Sequence, residues 1–181
     1  MMKYLFASSL ILLLVSCATT STAIRNVDAL PADIRLWSAD LRDNEQLNRY
    51  QVDIQVRGNH ITGLCMLKKN DEGWRGTVIN EFGVKAFDFI VTTQQCKLLN
   101  MISMLNKWYI RQTIADDLHF LFEIDNPEAA FQQQTTRVLQ PDGTLTVAFK
   151  RKKSITRNAD NSLILNNLKQ KIVYFLNVIK E

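Results

Sequence analysis

From residue 49 onward apolar and polar side chains alternate. Tyr50, Val52, Ile54 and Val56 share one face, which is the period of a half-buried strand. Arg57-Gly58-Asn59-His60 is a turn signal, because glycine and asparagine tolerate positive φ. The same reading predicts strands over 61–68, 74–81 and 84–92, with a fifth over 96–101. Asn70-Asp71-Glu72-Gly73 and Gly83 punctuate them. Such short connections make neighbours antiparallel, since parallel ones need long crossovers. The period then changes. Across 103–123, Leu105, Trp108, Tyr109, Ile114, Leu118, Leu121 and Phe122 recur at helical spacing, with Ser103 as the expected N-cap. Asn126-Pro127 ends that helix.

Alternation returns over 136–140, Pro141-Asp142-Gly143 makes a hairpin turn, and a strand is expected over 145–152. Asn158-Ala159-Asp160-Asn161 is the next turn, before strands over 163–165 and 172–179. The last segment also fits a helix, with Leu168, Ile172, Phe175, Leu176 and Ile179 in phase. A strand is expected there because Val, Ile, Tyr and Phe dominate. Residues 35–42 fit a short strand or a helical turn. The class is α+β: a curved antiparallel sheet wrapped around an inserted amphipathic helix, partly closed, with an apolar interior.

The start of the chain follows a different rule. Met1-Met2-Lys3 is a short positive leader, and residues 5–15 are apolar apart from Ser8 and Ser9. A spanning helix needs about 20 apolar residues, so this stretch suits the core of an export signal. It closes with Leu14-Val15-Ser16-Cys17, which resembles a bacterial lipobox. The expected organisation is a signal over 1–16, a lipidated Cys17 with a small polar tether over 17–34, and one globular domain over 35–181. The Cys17 thiol would carry diacylglycerol, and each buried methylene adds about 0.8 kcal/mol of membrane affinity. No aspartate follows Cys17, which by resemblance to enterobacterial lipoproteins implies a periplasm-facing place on the outer membrane.

Composition narrows the function classes. Of 181 residues 46% are hydrophobic and 22% charged, a globular balance. The net charge of +4 is mild, and no basic stripe of the kind a nucleic-acid binder carries is expected. Lys150-Arg151-Lys152-Lys153 is read as a solvated strand end, with anionic lipid head groups as the other reading.

A lipidated domain of strands, inserted helix and further strands resembles the lipoprotein carriers of the Lol pathway. The stretch over 48–125 is similar to a group of uncharacterised Bacteroidetes lipoproteins. Ile61-Thr62-Gly63-Leu64, Lys68-Lys69, Arg75, Asn80-Glu81-Phe82-Gly83, Phe87-Asp88-Phe89, Leu105-Asn106-Lys107-Trp108 and Asp117 carry that likeness. The resemblance implies a half-open β-barrel lined by apolar residues and an envelope setting.

Candidate chemistry is sparse. His60 reads as a surface turn residue and His119 as packing on the helix. No nucleophile elbow is present, and two histidines and two remaining cysteines lack metal-ligand spacing. No cofactor is expected. Cys65 and Cys96 are either a disulfide of an oxidising compartment or two buried thiols. Glu81 and Asp88 read as hairpin ion-pairing beside Lys85 rather than an acid–base pair. Asp116 and Asp117 are expected to face solvent or bond to strand ends. Apolar ligand contacts are expected from Met66, Phe87, Phe89, Met104, Trp108 and Leu118, with Met101 a further adaptable surface. The leading expectation is a non-enzymatic module binding a lipid or acyl chain; a scaffold with a filled core that recruits an envelope protein comes second, and a hydrolase third. The anchor has a direct test: radiolabelled palmitate is expected to enter the wild-type protein, and Cys17→Ala is expected to abolish both the label and membrane retention.

Overall fold

The computed structural model describes residues 34–37, 47–56 and 59–179. The leader, Cys17 and most of the tether lie outside the described residues, as do residues 38–42 of the first expected element. The described chain forms strands β1 (Asn48–Val56), β2 (Asn59–Asn70), β3 (Gly73–Asn80), β4 (Lys85–Val91) and β5 (Cys96–Leu99). Helix α1 (Trp108–Glu123) and a 3-10 turn (Gln132–Gln134) follow. Then come β6 (Thr135–Leu139), β7 (Leu145–Phe149), β8 (Lys153–Arg157), β9 (Leu163–Asn167) and β10 (Ile172–Val178). The class is α+β: one open sheet of ten strands with one helix among the described residues. Its order is β5-β4-β3-β2-β1-β10-β9-β8-β7-β6, and every neighbouring pair is antiparallel. Among the described residues no helix is long and apolar enough to cross a membrane.

Two five-strand meanders meet where β1 pairs with β10. Val52 stands opposite both Gly63 and Leu176, and Ile54 opposite both Ile61 and Tyr174. Because side chains alternate, this register fixes one inward row across the whole sheet. Tyr50, Val52, Cys65, Leu67, Trp74, Val78, Phe87, Phe89 and Val91 belong to it, and so do Leu145, Val147, Ile155, Leu163, Leu165, Tyr174 and Leu176. The helix adds Ile114, Leu118, Leu121 and Phe122 to the same cluster. One core therefore serves both halves.

Three expectations are corrected. The helix begins at Trp108, not Ser103; Lys107 is its extended N-cap and makes no side-chain cap, while Ser103 lies in a preceding turn. The expected strand over 145–152 ends at Phe149. Lys150 adopts φ 51°, so the basic run is a tight turn leading into β8 rather than a strand end. Lys150 takes the backbone region that glycine or asparagine would have signalled. The C-terminal segment, expected as a strand although a helix also fitted, is the strand β10.

The segment 34–37 is held by side chains rather than by a ladder. Backbone N–H groups of Leu36 and Trp37 donate to the two carboxylate oxygens of Asp125 at 2.9 and 2.8 Å. Trp37 Nε1 donates to the Leu121 carbonyl at 2.9 Å. Arg137, from β6, bonds Asp125 at 3.1 Å and the Ile34 carbonyl at 3.3 Å. Trp37 then stacks on Phe122 at 5.2 Å and leans on Trp74 at 5.3 Å, and Phe122 stacks on Phe89 at 5.5 Å. Rings that meet this way add to their area burial, and they fill the end of the interior where the helix finishes.

Gly76 is required by that cluster. Phe89 lies across the strand pair opposite Gly76, and a Cβ there would meet the Phe89 ring at 2.2 Å. Phe89 is 1% exposed and packed on Phe122, so its ring has nowhere to retreat. Gly76→Ala is expected to lower stability by about 1–3 kcal/mol, read as a drop in the urea midpoint. A Phe89→Leu change in the same background relieves part of the loss.

Candidate functional site

At the opposite end, where α1 begins, the interior is not filled. An apolar cavity of about 270 Å³ opens there. Ile54 and Val56 come from β1, Ile61 from β2, Val78 from β3, Ala86 and Phe87 from β4, and Ile172 and Tyr174 from β10. Leu105, Tyr109, Ile110 and Ile114 face them from the helix and the turn before it. The strands reach this end with inward positions still apolar, but no aromatic plug occupies the space between them and the first turns of the helix.

A second cavity of about 330 Å³ adjoins it and shares Thr113 and Gln170 as a common wall. Its character is different. Phe120, Phe131 and Phe149 form an aromatic side, and Lys152, Lys153 and Lys169 a cationic one; Asp116, His119 and Asn167 complete it.

Between the two lies a buried polar cluster centred on Asp117, which is 0% exposed. Lys153 Nζ sits 2.7 Å from Oδ1. Asn167 Nδ2 donates to both carboxylate oxygens at 2.8 and 3.0 Å, and the Tyr174 hydroxyl donates to Oδ2 at 2.9 Å. Burial, then the Asp117 charge and hydrogen bond, push the Tyr174 hydroxyl well above its ordinary pKa, so it remains a donor at neutral pH. Asn167 Oδ1 in turn accepts from the Gln170 backbone N–H at 3.0 Å. One helix residue is thereby joined to β8, β9 and β10. A buried carboxylate is tolerable when a counter-ion and hydrogen bonds satisfy it, and here all are present.

The expected ligand residues divide. Phe87 lines the apolar cavity. Phe89 and Leu118 are buried at 1% and 8% but line neither cavity: Phe89 belongs to the aromatic plug and Leu118 to the packed core. Met66 faces away, since its neighbours Cys65 and Leu67 take the inward positions. Met104 and Trp108 are 69% and 80% exposed: Met104 lies in the turn before the helix, and Trp108 opens α1 about 200° from Ile110. Asp117, expected to face solvent or to bond to strand ends, does the second: it is fully buried and binds Lys153 at the start of β8 and Asn167 at the end of β9. The sequence held the clue, since Ile114, Asp117, Leu118 and Leu121 fall on one helical stripe at spacings of three and four. Tyr109, Ile110, Ile172 and Tyr174 were missed as cavity residues.

The remaining candidates are structural. Cys65 and Cys96 are free thiols, and β3 and β4 stand between their strands. Three inter-strand steps are about 14 Å, against the roughly 7 Å limit between disulfide-linked Cα atoms, so of the two alternatives the disulfide does not form. Burial pushes the Cys65 thiol up to about 12; burial and then the Asp116 charge push Cys96 up to about 12. Both are poor nucleophiles. Asp88 bonds Thr77 at 2.7 Å, Asn100 at 2.7 Å and Lys85 at 3.0 Å. Burial opposes its ionisation, but these partners together hold its carboxyl below the usual value. Glu81 accepts from Thr62 at 2.9 Å. The two carboxylates therefore do not form a pair. His60, expected in a turn, stands on the exposed side of β2 and lies 3.4 Å from Asp53, and His119 Nε2 lies 3.2 Å from the Thr93 carbonyl. Among the described residues no three His, Cys, Asp or Glu side chains group to hold a metal.

Neither a protein-family model nor a curated protein matches this chain.

The Asp117 cluster makes a sharp prediction. Asp117→Ala leaves Lys153 and Asn167 without their acceptor in a mostly buried place and is expected to cost about 3–5 kcal/mol. The double variant Asp117→Leu/Lys153→Met removes both charges and recovers most of that loss, measured by urea denaturation.

Proposed function

We propose that this protein is a lipid-anchored envelope lipoprotein that binds a lipid or acylated ligand without covalent chemistry. The carrying observation is the apolar cavity between the first turns of α1 and the facing strands. Its volume of about 270 Å³ is near the lower end of ordinary ligand pockets, roughly 300–1,000 Å³. That suits one acyl chain rather than a whole phospholipid.

In this reading the sheet is a half-open barrel curved around the helix. Support comes from the contacts of α1, which touches β4, β5 and β9. Five inter-strand steps separate β4 from β9, or about 24 Å if the sheet were flat. A helix is about 10–12 Å across and meets both only if the sheet bends. The leader and Cys17 support attachment to a membrane, with the outer membrane facing the periplasm as the proposed place. The exposed side chains Phe82, Val84, Met104 and Trp108 cluster in sequence around the β3–β4 turn and the start of α1. Ile102 N–H bonds the carbonyl of the cavity residue Ala86 at 2.9 Å, which ties these two segments together beside the opening.

A second reading, a scaffold with a filled core, draws support from the Trp37–Trp74–Phe89–Phe122 packing at the other end. The two are separable. Full-length protein purified from envelopes in neutral detergent is expected to carry one non-covalent acyl-bearing lipid in native mass spectrometry. Ile110→Trp, which fills the cavity from the helix side, is expected to lower occupancy roughly tenfold, a loss on the scale of burying an apolar chain, with thermal stability unchanged. A wild-type protein that is empty and excludes added dodecanol sinks the proposal and favours the scaffold.

A further inference from the structure

We infer that the ligand is an anionic amphiphile: its chain occupies the apolar cavity, and its negatively charged head group rests on Lys152 and Lys169 in the adjoining cationic cavity. This deepens the acyl-binding reading and rests on it.

The argument starts from where the lysines stand. Lys152 ends the β7–β8 turn, and Lys169 lies in the β9–β10 turn. The Leu168 N–H donates to the Lys152 carbonyl at 2.9 Å, so the two turns abut. Residues 150–153 and 168–171 bring six cations to one end of the sheet and no carboxylate. Lys153 is committed to Asp117 at 2.7 Å. Lys152 and Lys169 are exposed, line the second cavity and form no ion pair among the described residues. The carboxylate on that cavity's rim is Asp116, which accepts from Gln112 at 2.8 Å; His119 also faces it and lies 3.2 Å from the Thr93 carbonyl. Two lysines against one rim carboxylate leave the vestibule net positive.

Position does the rest. Thr113 and Gln170 belong to both cavities, so a molecule in one borders the other without crossing the sheet. Tyr174 faces the apolar side, Lys153 and Asn167 face the polar side, and Asp117 binds all three. The change from apolar to cationic lining takes place across the shared residues Thr113 and Gln170. An uncharged chain uses only the first cavity. A chain with a phosphate or carboxylate at its end uses both, and a cationic head group meets repulsion.

The test uses the full chain in neutral detergent, stripped of endogenous lipid, with native mass spectrometry as readout. Dodecyl phosphate, dodecanol and dodecyltrimethylammonium are offered at equal concentration, and inorganic phosphate separately. Dodecyl phosphate is expected to exceed dodecanol roughly tenfold, the scale of two solvent-facing ammonium contacts to one anion. In Lys152→Gln/Lys169→Gln that preference is expected to fall to near parity while dodecanol binding is unchanged, which cancels any difference in micelle partition. Equal binding of all three dodecyl probes, or a preference for the cationic one, overturns this inference and leaves the acyl reading standing. Failure of every dodecyl probe overturns the acyl reading and this inference with it. Inorganic phosphate held as tightly as dodecyl phosphate overturns it in favour of a free-phosphate site.

Discussion

The carboxylate of Asp117 is the point on which the interior turns. It sits fully buried on the helix and gathers Lys153, Asn167 and Tyr174 from three successive strands. Apolar packing alone lets a helix slide or roll on a sheet at small cost, because dispersion contacts are non-directional. A buried charge does not permit that. Any shift that lengthens its bonds strands an ion away from water, so the arrangement has one register. The helix is held to the C-terminal half of the sheet by the buried Asp117 cluster, and to the N-terminal half by packing and by Arg111, which donates to the Leu98 carbonyl of β5 at 2.9 Å.

That fixed helix gives the interior two unlike ends. Toward its C-terminus, Trp37, Trp74, Phe89 and Phe122 interlock, and Asp125 with Arg137 ties the incoming segment 34–37 to the helix end and to β6. Toward its N-terminus the wall side chains are mostly aliphatic, with Phe87, Tyr109 and Tyr174 among them but not stacked, and the helix starts without a side-chain cap. Closing one end tightly while leaving the other loosely lined is an economical way to keep a cavity in a small domain. The aromatic end supplies stability that the open end forgoes.

Much of the sheet was legible because its inward row is so regular. Tyr50-x-Val52-x-Ile54-x-Val56 and Phe87-x-Phe89 read as strands at sight, and the turns at Asn70–Gly73, Pro141–Gly143 and Asn158–Asn161 carry residues that declare themselves. What was hidden was a turn built from lysine. Lys150 and Lys171 take φ of 51° and 56° without the glycine or asparagine that would have announced them. One hairpin was therefore read as a single strand and β8 was lost. The candidate site was less legible than the fold. Phe87 was placed correctly because period two settles its face. Trp108 and Met104 were not, because the position of the helix start decides their phase, and Lys107 gives no capping signal. The burial of Asp117 depends on Lys153, Asn167 and Tyr174, which are distant in sequence. Even so, its place on the Ile114–Leu118–Leu121 stripe was there to be read.

The pairing of β1 with β10 has a consequence for how the molecule comes into being. Among the described residues β10 is the last strand and yet an interior member of the sheet. Until it arrives, β1 and β9 each present a bare edge, and the two meanders have nothing to join them. Joining β1 to β10 closes a very long loop, a contact that carries a loop-closure entropy cost and forms slowly. Two half-sheets with unpaired edges are the kind of surface that pairs wrongly, and the β1–β10 ladder is what seals both edges in this fold.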